Sequence, residues 1–253
     1  MPETHVPLLV PAGNPGTLTG AAGNNTWLID GAFPTLVDAG IGTAPHVAAI
    51  TRALRARALV RVLVTHSHPD HASGVPALRR SWPSLEACKL PLRGEAGWRA
   101  LADGDTVAAG DAHLTVVHTP GHAPDHICFW DADRRCLYGG DMVVAGSTVM
   151  IPFGRGGSLT EYLASLERLA ALAPDRIYPG HGDVIERPLD VIGAYLEHRR
   201  FRERQILECL GDGVTGVDAI AARLYPNLPD GLRQPARLTV EAHLQKLRDE
   251  GRL

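Results

Sequence analysis

Apolar residues along this chain come in short runs broken by glycine, asparagine and proline. Val6–Val10, Thr26–Asp30 and Thr35–Asp38 read as strands separated by such turn residues. Val60–Thr65 is a β-branched apolar run, the pattern of a strand buried on both faces. Leu114–His118, Ile127–Asp131, Arg135–Tyr138 and Arg176–Tyr178 continue the series. Helical spacing takes over in three places. Ala44–Ala58 sets Val47, Ile50 and Leu54 on one side, and Thr160–Ala173 carries a stripe of Leu163, Leu166, Leu169 and Leu172. Pro188–Leu210 opens with proline at its first turn and stops at Gly211. Strands and helices interleave, but several strands adjoin through gaps of hairpin length. That predicts mixed sheets with helices outside, rather than one doubly wound parallel sheet.

The length of 253 residues accommodates one large domain, or a domain with a small appendage. A hydrophobic fraction of 45% and a charged fraction of 21% are ordinary for a globular protein. The net charge of −3 supplies no global basic field to attract nucleic acid. The opening MPETHVPLLVPAGNPG lacks the charged start and apolar core of a signal peptide, and the apolar stretches fall short of a membrane span. A cytoplasmic location without a membrane partner is the expectation. Cys88, Cys128, Cys136 and Cys209 lie far apart with no CxxC pair, which argues against a zinc knuckle or a disulfide framework. They are expected to be small buried or half-buried apolar residues. The unusual inventory is the twelve histidines.

They concentrate in LVTHSHPDHASG, Leu63–Gly74, where His66, His68, Asp70 and His71 follow directly on the strand Val60–Thr65. Imidazole and carboxylate together suit zinc, iron or manganese. A solvated loop would explain one histidine; four donors fed by a buried strand point to metal. Partners follow further along. His122 sits in HTPGHAPDH, Asp141 in CLYGGDMVV and His181 in IYPGHGDV, each just after a predicted strand and a glycine-bearing turn. Glycine lets the backbone turn sharply and approach a site closely.

This motif order, His66-x-His68-x-Asp70-His71 and then His122, Asp141 and His181, resembles the metallo-β-lactamase superfamily, and Asp38 in LVDAG resembles its early aspartate motif. The resemblance implies an α+β fold, an αββα sandwich with its metal site at one edge between the sheets. It implies His66, His68 and His122 on one metal, Asp70, His71 and His181 on the other, and Asp141 bridging both, with Asp38 supporting the shell. The implied cofactor is a pair of zinc ions, with manganese or iron as alternatives. Seven side chains exceed what one tetrahedral zinc needs, and two cations sharing a hydroxide bring its pKa toward neutrality. Asp70 and Asp141 are the expected catalytic carboxylates, Asp70 by holding the hydroxide's proton.

The C-terminal third, GAYLEHRRFRERQILECL and ARLYP…LTVEAHLQKLRDEGRL, resembles the tail of the lactamase-beta-2-like branch, whose best-known member type is a zinc endoribonuclease acting on single-stranded RNA. The implied organisation is a hydrolase domain over residues 1–190 and a small winged-helix-like unit over 191–253, with HLQKLRDEGRL as a helix ending at Gly251. The stretch GSTVMIPFGRGGS, Gly146–Ser158, departs from that branch's acidic segment. Two substrate classes follow: single-stranded RNA, or a small acyl molecule (ester, thioester, lactone or β-lactam), since glyoxalase II and acyl-homoserine lactonases share these ligand motifs. From Arg199 onward ten basic residues face eight acidic ones, a thin footprint for a nucleic-acid groove. The Arg199–Arg204 cluster reads better as a solvated helix face. Two further readings are a mononuclear iron oxidoreductase resembling persulfide dioxygenases and a non-enzymatic winged-helix nucleic-acid binder. His5, His46, His113, His198 and His243 match no ligand motif and are expected on the surface or in helices. His118 either orients His122 or packs in its strand, and His126 is expected to be structural, with support of the site as the lesser reading. Asn24–Thr26 and Tyr178 are placed near the pocket by position alone.

Overall fold

The computed structural model describes residues 6–16, 19–146 and 148–253; His5 lies outside them. Its elements run β1 (Leu8–Pro11), β2 (Asn25–Ile29), β3 (Thr35–Val37), α1 (Ala44–Ala53), β4 (Arg61–Leu63), α2 (Pro69–Ala72), α3 (Val75–Ser81), β5 (Glu86–Lys89), β6 (Arg99–Ala100), β7 (Thr106–Ala109), β8 (Ala112–His118) and β9 (Ile127–Asp131). They continue with β10 (Cys136–Gly140), α4 (Leu159–Ala171), β11 (Arg176–Pro179), α5 (Pro188–Gly211), α6 (Val217–Leu224) and α7 (Asp230–Asp249). One sheet has the order β1-β2-β3-β4-β5-β6, antiparallel at β1-β2-β3 and parallel from β3 onward. The other has the order β11-β10-β9-β8-β7, with only β10 and β11 parallel.

Alternation along the strands builds four layers. In the first sheet Leu28, Leu36, Val62 and Val64 pack outward against Ile50 of α1 and Val75 and Leu78 of α3. Their neighbours Trp27, Val37 and Leu63 point inward, where they meet Leu114, Val116, Ile127, Phe129 and Tyr138 of the second sheet. That sheet's outward residues, Cys128, Trp130, Leu137 and Ile177, are covered by Tyr162, Leu166 and Leu169 of α4 and Ile192 and Tyr195 of α5. Both faces of both sheets are therefore dry, which is why the strands read as continuous apolar runs. The result is the αββα sandwich, and all four cysteines are free and buried.

Helix α5 runs without a break through residues 190 and 191. Its first half covers the second sheet, while Ile206 and Cys209 join Ile220, Ala221, Val240, Leu244 and Leu247 in a separate small core with α6 and α7. The last helix begins at Asp230, well before the predicted stretch around Leu244. None of the described helices is long and apolar enough to cross a membrane.

The strand ends at one edge of the sandwich converge. β3 and β4 run out there into Asp38 and His66, β8 leads to His122, β10 to Asp141 and β11 to His181, while β2 begins there after Asn24. The sequence expectation of an irregular loop after β4 needs a correction. Pro69 sets the φ angle of a helical first turn, so Asp70 and His71 sit on the single turn α2 with His68 as its cap residue. Asp38 takes φ of 61°, a left-handed conformation rare for a residue with a side chain.

Gly121, one residue before His122, has φ of 131°, and a Cβ there would lie 2.3 Å from the backbone of Tyr162. Gly121→Ala is expected to cost at least about 1–3 kcal/mol, read from the urea midpoint. His46 on α1 is buried rather than superficial, its Nε2 2.9 Å from Thr26 Oγ1, and burial pushes its pKa from 6.5 down to about 4. The unfolded chain binds that proton first as pH falls, so stability present above pH 6.5 is lost on the way down to about pH 4. Thermal unfolding should show this slope between those limits, shallower in His46→Gln.

Candidate metal centre

Three imidazoles meet first. His66 Nε2 lies 2.9 Å and His122 Nε2 lies 3.0 Å from His68 Nδ1. Their outer nitrogens decide where the protons are. His122 Nδ1 is 2.8 Å from the carbonyl oxygen of Met150, which only accepts, so Nδ1 carries a proton and in the neutral ring Nε2 is a bare lone pair. Thr65 Oγ1 donates to Asp38 and thus accepts from His66 Nδ1 at 3.0 Å, which leaves His66 Nε2 bare as well. Burial lowers the pKa of His66 well below its ordinary value, and His71 and His126 add to it; burial and His122 lower that of His68. Two bare nitrogens and the Nδ1 of a third ring thus aim at one point, where at most one proton could mediate. A cation satisfies all three.

Asp70, His71 and His181 form a second group. His71 Nε2 and His181 Nε2 lie 3.6 Å and 3.5 Å from Asp70 Oδ2. His71 Nδ1 donates to Asp38 Oδ2 at 2.8 Å, and His181 Nδ1 donates to the Thr19 carbonyl at 3.3 Å. Burial alone would lower the pKa of His71, but the charges of Asp141 and Asp38 outweigh it and hold it well above the ordinary value. For His181 burial is likewise outweighed, by the neighbouring carboxylates of Asp141 and Asp70, and the pKa rises to about 9. Burial pushes the Asp70 carboxyl up, yet His181, His71 and Asn24 together hold it below its usual range. This group calls for positive charge, which a proton or a cation supplies.

Asp141 lies between the two. Its Oδ1 is 3.4 Å from both His71 Nε2 and His181 Nε2, and its Oδ2 is 3.6 Å from His122 Nε2. Oδ1 is buried with no hydrogen-bond partner. The seven residues singled out in the sequence are thus brought together, with the ligand atoms within each of three overlapping triads inside 4.8 Å of one another. A buried carboxylate with one orphaned oxygen, set among converging imidazoles, is the donor chemistry of a divalent-metal site.

Asp38 supports this set: it accepts from the Thr65 amide at 2.8 Å while holding His71. His126 turns out to back Asp141. Its Nε2 accepts the Asp141 amide at 3.0 Å and its Nδ1 bonds Thr119 Oγ1 at 2.8 Å. His118 stays in its strand, bonded to the Pro124 carbonyl at 2.9 Å. Tyr178 stacks on Tyr138 between the sheets, away from the donors. Asn24, by contrast, is fully buried with its amide nitrogen 3.0 Å from Asp70 Oδ2, 3.1 Å from His71 Nε2 and 3.4 Å from His181 Nε2. Lys89 escaped the sequence reading altogether. It is fully buried, with its ammonium 2.7 Å from Glu95, 3.0 Å from Asp125 and bonded to Ser67, the residue between His66 and His68.

Comparison with known proteins shows the family. The profile of the Metallo-beta-lactamase superfamily matches residues 19–181, and that of the Beta-lactamase associated winged helix domain matches residues 217–253, the region of α6 and α7. A Beta-lactamase-like protein 2 homolog of Caenorhabditis elegans is 31% identical over 255 aligned residues, covering 94% of this chain and 82% of the relative. An atrochrysone carboxyl ACP thioesterase of Aspergillus fumigatus is 33% identical over 203 residues, 78% of this chain and 62% of that protein. A metallo-beta-lactamase family protein of Thermus thermophilus shares the fold, with a TM-score of 0.78 at 23% identity over 97% of this chain and 94% of that one. The profile spans well over half of the sequence and the similarity to the nematode relative runs nearly end to end: the chain belongs to the metallo-beta-lactamase superfamily, as a hydrolase whose fold carries a divalent-metal site.

Proposed function

We propose that this hydrolase cleaves a small activated acyl substrate, a thioester in the first instance, at a two-cation centre. The observation that carries the two-cation reading is Asp141, whose two carboxylate oxygens face separate donor groups. His66, His68 and His122 hold one cation and Asp70, His71 and His181 the other, with Asp141 between them; zinc suits these ligands, as do manganese and iron. A pair of divalent cations supplies an acidified water and a positive field for the oxyanion of the acyl intermediate.

The protein's own groups set the rest. The imidazoles of His66 and His68 are kept neutral by burial, so their lone pairs are available without loss of a proton. Asp70 is the most open carboxylate of the cluster, with a quarter of its side chain exposed, and is held ionised by His181, His71 and Asn24. It is placed to take a proton from an incoming water and to aim the remaining lone pair. The backbone amide of Asp141 donates to His126 Nε2, which fixes the turn from which the carboxylate projects.

A thioester asks least of such a site, because a thiolate leaves near neutral pH without help from a general acid. The relative from Aspergillus fumigatus named a thioesterase supports that class. The tail's basic residues speak against RNA. Arg200 pairs with Glu167, Arg223 with Asp212 and Arg237 with Asp218, while Lys246 and Arg252 share Glu203 and Glu250. Phosphates would have to displace these acids to gain their counter-charges.

Purified protein is expected to release thiol from a small acyl thioester, to lose this on chelation and to regain it with zinc, while leaving a fluorogenic single-stranded RNA intact. RNA cleavage without thioester turnover would reverse the substrate assignment. Asp70→Ala should lower kcat about 10²–10⁴-fold, the range for loss of a proton acceptor. Asp141→Ala should also lose bound metal, measured by elemental analysis. Unchanged turnover in both variants with full metal content would remove the carboxylates from the mechanism.

A further inference from the structure

Among the described residues between Asp141 and α4 none lies in a helix or strand, so their backbone polar groups need partners from elsewhere. Side chains of two helices provide them. Tyr162 of α4 donates its hydroxyl to the Met142 carbonyl at 2.6 Å. Tyr195 of α5 accepts from the Val144 amide at 3.1 Å and donates to the Val144 carbonyl at 2.9 Å. One turn further along α5, Arg199 donates to Thr148 Oγ1 at 3.1 Å and to the Val149 carbonyl. The next carbonyl, that of Met150, takes the proton of His122 Nδ1 at 2.8 Å. A strap thus starts at Asp141 and ends by orienting His122, and α5 grips it at two points.

Arg199 is costly to keep in this place. It is 3% exposed, and among the described residues it forms no ion pair. Its partners are the strap and the face of Tyr162, 5.7 Å from the guanidinium carbon. A buried cation spent on two acceptors of an irregular segment has a use if the segment's position matters.

We infer that Arg199, with Tyr195, is a positioning residue for the metal centre, holding the strap at Val144, Thr148 and Val149 so that the Met150 carbonyl fixes the tautomer and aim of His122. This rests on the metal-centre reading above. It ties the three-histidine group to helix α5, and it gives the stretch that departs from the lactamase-beta-2-like pattern a structural task.

Zinc titration of chelator-stripped protein by calorimetry, against a competing chelator, tests it. Wild type should take up two zinc ions per chain. Arg199→Met should weaken one of the two affinities about 10–100-fold, the range for loss of an outer-sphere partner, and leave the other unchanged. Arg199→Lys should recover part of the loss. In a His122→Ala background Arg199→Met should add nothing, since the effect runs through that ring. If Arg199→Met does not fold, Tyr195→Phe replaces it, with the same one-sided loss expected. Both affinities unchanged in a folded variant, or both weakened alike, overturns the inference alone. Wild type that takes up no zinc overturns the metal-centre reading itself.

Discussion

Uncompensated lone pairs govern this molecule. Several imidazole nitrogens and the carboxylates of Asp70 and Asp141 are directed at one small volume, and Asp141 Oδ1 is buried there without a partner. Left alone, such an arrangement repels itself, because desolvated acceptors have nothing to donate to them. Positive charge resolves the conflict. The two groups differ in how strongly they call for it: His66 and His68 are kept neutral by burial, whereas the carboxylates beside His71 and His181 hold their protons on.

A cluster of this kind survives only on a rigid frame. The frame is the sandwich, in which apolar residues on both faces of both sheets fix the strands and leave their ends at one edge to carry the polar groups. Four of the seven donors have their own backing here: Asp38 behind His71, Met150 behind His122, Thr65 behind His66 and His126 behind the Asp141 amide. Such outer partners set ring orientation and ligand basicity as much as the ligands do. Lys89 completes this pattern by tying the loop between His66 and His68 to Asp125 in the segment that follows His122.

The C-terminal helices are more than an appendage. Helix α5 belongs at once to the wall of the second sheet and to the small core formed with α6 and α7. Through Tyr195 and Arg199 it also touches the strap that borders the centre. The pairing of Arg223, Arg237 and Arg252 follows from the same helices, where acids and bases interleaved along the sequence find each other across helix faces.

The sequence by itself indicated the family and, through that resemblance, the layer order, and it singled out seven candidate donors that the fold brings together, because motifs and apolar runs are local signals. Apolar runs such as Ile127–Asp131 mark strands buried on both faces, and His66 to His71 crowd one turn of chain. The helix turn at Pro69, the strand Glu86–Lys89 and the early start of α7 were not legible. A buried lysine at the end of β5 reads as a surface charge, and nothing local says that Glu95 and Asp125 will neutralise it. Only the tertiary structure decided which group backs which ligand. Asn24, His126 and Arg199 lie at least fifteen residues from the atoms they serve, and their hydrogen bonds exist only once distant parts of the chain have packed together. Those contacts are set by three-dimensional proximity in a dry interior, which carries no periodic or motif signature along the chain.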